Sequence, residues 1–441
     1  MFRKVIPTNI KVNNNLIKSY YSTNNYNEIK KIKLKNNNNP EDWIKVHDNV
    51  IMNTYGRVPN IIFKEGKDSW LTDMKNDKYL DFGAGIAVNA LGHSNDGWVR
   101  SIKKQVGKLT HLSNLYYNEP AIELAKSLID NSQFFDKVFF ANTGTEANEA
   151  ALKFAKKIGL SKDPNKTEIV AFTNGFSGRS MGSLSVTHKA KYREIYGPLV
   201  PGVHFAKYND IDSIQQIINK NTCAIIIEPV QGEGGLEAAT PEFMKHLYKL
   251  CKKNDVVMIV DEVQCGIGRT GQLWAHSRFA KHFKPDIMTL AKPLAGGLPI
   301  GAVLVNDTIA AAIKPGDHGT TFGGGPLVCA AANYTFNKIA KKKFLEEVRE
   351  KGKYITDKLE DIKSKYPGVI SEIRTVGGLF IGIKLTHPAS KLVQFALDRK
   401  VLLISAGEDV VRLCPPLTVT YPEIDQLITI IDEYSKLNSK H

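Results

Sequence analysis

Four short apolar runs punctuate the middle of the chain: Lys137–Phe140, Glu168–Phe172, Cys223–Glu228 and Val256–Asp261. Each is rich in Val, Ile or Phe, and helical segments separate them. Near-continuous apolar runs of this length predict strands buried on both faces, hence a parallel-dominated sheet covered by helices. In such sheets a ligand sits beyond the carboxyl ends of the strands. Functional residues are therefore expected just after the runs.

The flanking texture differs. Residues 61–93 read as short strands and turns (Trp70–Asp73, Tyr79–Phe82) leading into the glycine-bearing stretch Phe82–His93. After about residue 335 come a charged helix (Asn337–Lys365), a strand (Gly378–Leu385), a helix (Ser390–Arg399), a strand (Val401–Ile404) and a last helix (Glu423–Leu437). That succession predicts a smaller α+β domain. The expected organisation is a low-complexity leader over 1–39, a segment 40–95 contributing to the small domain and the site, a large domain 96–335, and a C-terminal small domain 336–441.

Charge changes the picture at one end only. The 441 residues carry a net charge of +14, of which residues 1–39 supply half: eight basic side chains (Arg3, Lys4, Lys11, Lys18, Lys30, Lys31, Lys33, Lys35) against Glu28. Beyond them no long basic block occurs, so a nucleic-acid partner is not expected. The leader is Asn-rich and hydroxylated, with no acid before Glu28, which is the pattern of a mitochondrial transit peptide; a low-complexity extension without an address is the alternative. No apolar run reaches the roughly 18–20 residues that span a bilayer. Cys223, Cys251, Cys265, Cys329 and Cys414 are scattered without ligand spacing. They indicate a reducing compartment and no structural zinc, with Cys265 a buried inert thiol.

Four motifs carry candidate chemistry. Asn142-Thr143-Gly144-Thr145-Glu146 follows the first apolar run and opens a helix; its free amides suit a phosphate, the alternative being that Thr143 or Thr145 simply caps the helix. The run Val256–Val260 ends abruptly in Asp261-Glu262, which puts a carboxylate at the mouth of the sheet, or only a solvated acid at a strand end. Lys292 follows an apolar run and stands among small residues and glycines. Desolvation there would lower its pKa and free the amine for imine formation, the bland reading being a snorkelling surface lysine. His318–Pro326 sets two hydroxyls, Thr320 and Thr321, beside three glycines, either an oxyanion cradle or a tight loop before a helix.

In order and spacing the four motifs resemble the class III (subgroup II) aminotransferases, over essentially all of residues 40–437. The resemblance implies an α/β chain of fold type I, with a mainly parallel seven-stranded sheet in a large domain that binds pyridoxal 5′-phosphate (PLP), plus the smaller α+β domain. It implies that Lys292 carries the cofactor covalently and shuttles the substrate proton. Asp261 pairs with the ring nitrogen, Gln264 bonds near the phenolic oxygen, Val263 packs behind the ring and Phe176 stacks in front. Gly144 and Thr145 bind the phosphate, while Thr321 reaches the phosphate of the neighbouring subunit, making the active unit a homodimer.

Three stretches, Gly85–His93, Ser113–Pro120 and His318–Gly324, are similar to the branch of that family acting on N2-acetylornithine. Ornithine-specific members usually carry a tyrosine where this chain has Ile86, and an apolar residue favours the N-acylated substrate. The resemblance assigns Arg179 to the carboxylate of that substrate, Thr320 to its polar end, Arg412 to the α-carboxylate of glutamate, and Glu233 to masking Arg412 in turn. The implied reaction is ping-pong exchange of the terminal amine with 2-oxoglutarate, a step toward arginine. Alternatives on the same scaffold are ornithine or 4-aminobutyrate transamination, or an aminomutase or decarboxylase. A non-catalytic binding protein with this fold would be expected to lack Lys292 or Asp261. Two positions depart from the family pattern: Gly325 replaces an asparagine, and Ser177 a histidine.

Overall fold

The computed structural model describes residues 31–34, 39–58, 60–280 and 283–439. The leader expected over 1–39 lies outside them apart from 31–34 and Asn39. Two compact units are distinguished: the described residues through Glu65 with Thr72–Lys78, and Gly66–Leu71 with those from Tyr79 onward. In the first unit the helix Pro40–Val50 starts where the Asn39 side chain accepts the Glu41 amide at 3.2 Å, with proline at its first position, where a missing N–H costs nothing. The Asp73 carboxylate closes a turn in the same unit by accepting the Lys75 and Asp77 amides, each at 2.9 Å.

The second unit is organised on a seven-stranded sheet: β1 Lys137–Ala141, β2 Glu168–Phe172, β3 Val203–Ala206, β4 Thr222–Ile227, β5 Val257–Asp261, β6 Ile287–Leu290 and β7 Gly301–Val305. Their order is β1-β7-β6-β5-β4-β2-β3. Only β7 runs against its neighbours, pairing Val303 with Thr289 and with Phe139. The other pairs are parallel.

Alternate residues of one strand enter different cores. Ile169, Ala171, Ala224, Ile226, Val257 and Ile259 pack with Ala147, Ala151 and Phe154 of helix α1 (Gly144–Leu160). Val170, Phe172, Ile225, Ile227, Met258 and Val260 pack on the opposite side, in the cluster holding Phe243 and Leu247 of α2 (Pro241–Lys253) and Phe336 of α3 (Pro326–Ile339). Both faces being covered, no polar alternation survives in the sequence, and each fully buried large side chain contributes about 1.5–3 kcal/mol.

A second sheet follows: β8 Ile370–Thr375, β9 Ile381–Leu385, β10 Ile404–Ala406 and β11 Val410–Leu413, antiparallel in the order β8-β9-β11-β10. The helix expected from Asn337 is in fact two: α3 ends at Ile339, and extended backbone at Lys341 (ψ 130°) separates it from Lys342–Lys365. The strand expected over Val401–Ile404 is also split. Val401 and Leu402 pair in parallel with Leu80 and Asp81, while Ile404 opens β10. The last helix, Tyr421–Asn438, opens with a capping box between Thr420 and Glu423. Among the described residues no helix is long and apolar enough to cross a membrane.

Candidate active site

The carboxyl ends of β1, β2, β4, β5 and β6 and the start of β7 share one edge of the sheet, because β7 runs the other way and sets Gly301 beside Ala141. A cavity of about 350 Å³ opens there. Its lining comes from the ends of those strands and the turns after them: Asn142–Thr145 after β1, Phe176–Gly178 after β2, Glu228 and Glu233 after β4, Asp261 at the end of β5 with Val263 and Gln264 after it, and Ala291 and Lys292 after β6. Val88, Asn148 of α1 and Gly297–Ile300 complete it.

Asp261 is the last residue of β5 and is buried. Its Oδ1 accepts the Val263 amide at 3.0 Å and its Oδ2 accepts Asn148 Nδ2 at 2.8 Å. Even so, burial raises its pKa, because the charged form has lost water. Glu228 is raised too, first by burial and then by the charge of Asp261, while its oxygens accept the amides of Phe176 (2.9 Å) and Gly232 (3.2 Å). Two carboxylates on one cavity make it a place for a cation. Glu262, the other acid of the pair, is spent elsewhere: it accepts the Ala275 and His276 amides and the His276 ring at 2.5–2.8 Å.

Lys292 projects a primary amine with no hydrogen bond or ion pair among the described residues. Burial, followed by the Arg412 guanidinium, lowers its pKa, so an uncharged and nucleophilic amine is easier to reach. Its backbone has φ 26°, a sparsely populated conformation for a non-glycine residue and one that clusters at functional sites.

The turn into α1 is built for an anion. Thr143 is the N-cap, its hydroxyl accepting the Glu146 amide at 3.2 Å. The amides of Gly144 and Thr145 find no partner among the described residues, the arrangement that binds phosphate at a helix start. Gly144 is required by space: a Cβ there would lie 2.6 Å from Val263 Cγ1.

Of the residues expected to recognise substrates, Glu233 is in the cavity wall, while Arg179, Thr320 and Arg412 stand around it. Arg412, 2% exposed, donates to the Gly232 carbonyl (2.9 Å), Gln264 Oε1 (2.8 Å) and Glu233 Oε1 (3.0 Å). It therefore sits behind two residues that line the cavity. Thr320 accepts Asn142 Nδ2 at 2.8 Å. Its loop is held by Asn114, which donates to the Thr320 and Gly323 carbonyls, and by Asn118, which donates to that of Gly324. Thr321 and Arg179 are exposed. Ile86 is 43% exposed and is not part of the lining, whereas Val88 is.

The family model for aminotransferase class-III matches residues 51–434. This chain belongs to the class-III aminotransferases. It is 66% identical over 451 residues, covering 100% of this chain and 99% of the relative, to the probable mitochondrial acetylornithine aminotransferase of Dictyostelium discoideum. It is 47% identical to the acetylornithine aminotransferase of Clostridium acetobutylicum, over 88% of this chain and 99% of that one. Among solved structures it is similar to N-acetylornithine aminotransferase from Stenotrophomonas maltophilia (31% identity, TM-score 0.75, 86% and 96% of the two chains). The ornithine aminotransferase of Toxoplasma gondii matches with TM-score 0.85 at 29% identity, over 93% and 97%. Class-III aminotransferases are PLP-dependent, and one Toxoplasma structure reports PLP at partial occupancy in the active site.

Within this class-III aminotransferase, the polar side chains of Asn148, Glu228 and Asn142 also line the cavity, without a clear signal in the sequence. Asn148 is one helical turn beyond Thr145 and looks like an ordinary helix residue; its pairing across 113 positions with Asp261 leaves no local signal. Glu228 was visible only as the polar end of a strand, and Asn142 only as part of a turn. The two departures from the family pattern fall in benign places. Gly325 occupies the N-cap of α3 without a side-chain cap. Ser177 is buried, its amide donating to Thr187 Oγ1 at 2.9 Å.

Proposed function

We propose that this chain transfers the terminal amino group of N2-acetyl-L-ornithine to 2-oxoglutarate, giving N-acetyl-L-glutamate 5-semialdehyde and L-glutamate, as a mitochondrial homodimer using PLP. The observation that carries the substrate assignment is the 66% identity along the whole chain to a probable mitochondrial acetylornithine aminotransferase. The reaction serves arginine formation and can run in either direction.

The residues around the cavity suit PLP. Asp261 would hold the ring nitrogen, which relieves the cost of its buried charge. The Gly144 and Thr145 amides would take the phosphate, Phe176 and Val263 the two ring faces, and Gln264 the phenolic oxygen. PLP, when bound, supplies an electron sink and a carbonyl carbon that carries nitrogen between substrates. Lys292 would anchor it, and its Nζ, uncharged more readily for being desolvated, would move the proton from the substrate's amine-bearing carbon to that carbonyl carbon once the substrate amine has displaced it.

Two unlike substrates must use one site. Glutamate presents an α-carboxylate close to its reacting amine, and Arg412 is the fork for it. Acetylornithine presents no such group there, and the Arg412–Glu233 pair then neutralises the vacant fork. Arg179 receives the carboxylate at the far end and Thr320 the polar group beside it. The dimer reading is supported by large apolar side chains left in water: Leu115 is 85% exposed, Tyr117 94% and Phe322 63%, around the loop that carries Thr321. Thr321 would then reach the neighbouring subunit's phosphate.

Purified protein given PLP, acetylornithine and 2-oxoglutarate should form glutamate and the semialdehyde in equal amounts. No glutamate from acetylornithine, with glutamate formed from ornithine, would transfer the assignment to ornithine.

A further inference from the structure

Arg179 has a fixed backbone and a displaced head. Its amide donates to Thr145 Oγ1 at 3.3 Å. Gly178 before it, at φ 139°, lies so close to Thr145 that a Cβ would come within 2.1 Å of Oγ1. The guanidinium carbon lies 3.4 Å from the centre of the Tyr192 ring and 5.8 Å from that of Phe176. Among the described residues Arg179 makes no ion pair.

Tyr192 belongs to the short turn Ala190–Arg193. With His188, Lys189 and Asn174 it lines a second cavity of about 200 Å³, which shares Phe176 and Glu233 with the main one. The two spaces thus adjoin at Phe176 and Glu233. Lys189 and Lys191 Nζ lie 5.1 and 5.5 Å from the centre of the Tyr192 ring, so the neighbourhood attracts an anion.

We infer that Tyr192 is a positioning residue for substrate recognition: stacked against Arg179, it holds the guanidinium on the side of Phe176, which lines the cavity, with its edge left for the distal carboxylate of the substrate. The inference rests on the role proposed above for Arg179. A free arginine would lose rotamer freedom on binding, and that entropy opposes affinity. Stacking on an aromatic face spends it beforehand and leaves the N–H fork available, since the ring engages the flat face and a carboxylate engages the edge. Tyr192 touches no reacting atom, so its effect belongs in KM rather than kcat.

The test compares substrates that differ only in the carboxylate. Holoenzyme carrying Tyr192→Leu should show a KM for acetylornithine about 3- to 5-fold higher than wild type, kcat unchanged, as expected for loss of one partly exposed cation–aromatic contact. N-acetylputrescine, the same chain without the carboxylate, should be a poorer substrate but equally poor for both proteins. Tyr192→Phe keeps the face and should behave as wild type. The inference is overturned if N-acetylputrescine suffers the same rise, if Tyr192→Phe is as damaging as Tyr192→Leu, or if the leucine variant is unaffected. Should wild type prefer ornithine, the substrate assignment fails, while ornithine against putrescine still decides the role of Tyr192.

Discussion

Asn148 donates from Nδ2 to Asp261 Oδ2 at 2.8 Å, and from the same nitrogen to the Ser177 carbonyl at 2.8 Å. It ties helix α1 to the end of β5 and to the turn after β2. It also favours the charged form of Asp261, against the burial that opposes it. Asn148→Leu removes a hydrogen bond to a carboxylate, worth about 1.5–3 kcal/mol, so affinity for PLP should fall by about 10-fold or more. Absorbance titration of the cofactor-free protein measures it, and an unchanged dissociation constant would remove Asn148 from the account.

Stability without cofactor should depend on pH through the same cluster. Asp261 and Glu228 are both raised above their ordinary values, so the folded chain keeps protons that the unfolded chain has already released. That contribution is present below the ordinary carboxylate range, near about pH 4, and is lost as pH rises through the folded values. In melting curves between weakly acidic and neutral pH, Asp261→Asn should lose less than the wild type. PLP, which gives Asp261 a cationic partner, should flatten the wild-type curve as well. A wild-type curve that rises relative to Asp261→Asn across that window would refute the sign.

The Arg412–Glu233 pair should separate the two half-reactions. Arg412→Lys keeps the charge but loses the fork, so the KM for glutamate should rise about 10-fold while that for acetylornithine barely moves. Glu233→Ala removes the group that Arg412 must leave, and should lower the KM for glutamate. Single-turnover measurements with each amino donor read both. Equal effects on the two donors would show the pair to be structural.

Ile86 sits in an unusual turn, with φ of 45°, 65°, 63° and 65° at Ala84, Gly85, Ile86 and Ala87. Such a left-handed stretch is costly for a β-branched residue. It is held by Asp81, whose Oδ1 accepts the Gly83 and Ala84 amides at 2.9 Å and whose Oδ2 meets His93 Nε2 at 2.8 Å. Ile86→Tyr should move the ratio of kcat/KM for ornithine over acetylornithine upward by about 10-fold, the scale of one added polar contact. A ratio that does not change would place selectivity elsewhere.

What could be read in the chain follows from where each signal lives. The strands β1, β2, β4 and β5 were legible because burial on both faces leaves uninterrupted apolar runs. β6 showed as the apolar run before Lys292, whereas β3 did not show, its four residues being broken by His204, and β7 was hidden behind the glycine- and proline-rich stretch after Lys292. Gly144, Thr145, Asp261 and Lys292 were visible because each stands at or just after a strand end. Asn148 and the Asn114–Thr320 tether were invisible, since a contact across 100 or 200 positions leaves no local pattern.

The most direct measurement is an absorbance scan of the PLP-loaded protein, truncated near residue 40, with acetylornithine and ornithine added separately. The expected result is a yellow band that bleaches quickly with acetylornithine and slowly with ornithine, and that is absent in Lys292→Ala. Faster bleaching by ornithine would contradict the substrate assignment, and a band that survives in Lys292→Ala would contradict the role of Lys292 itself.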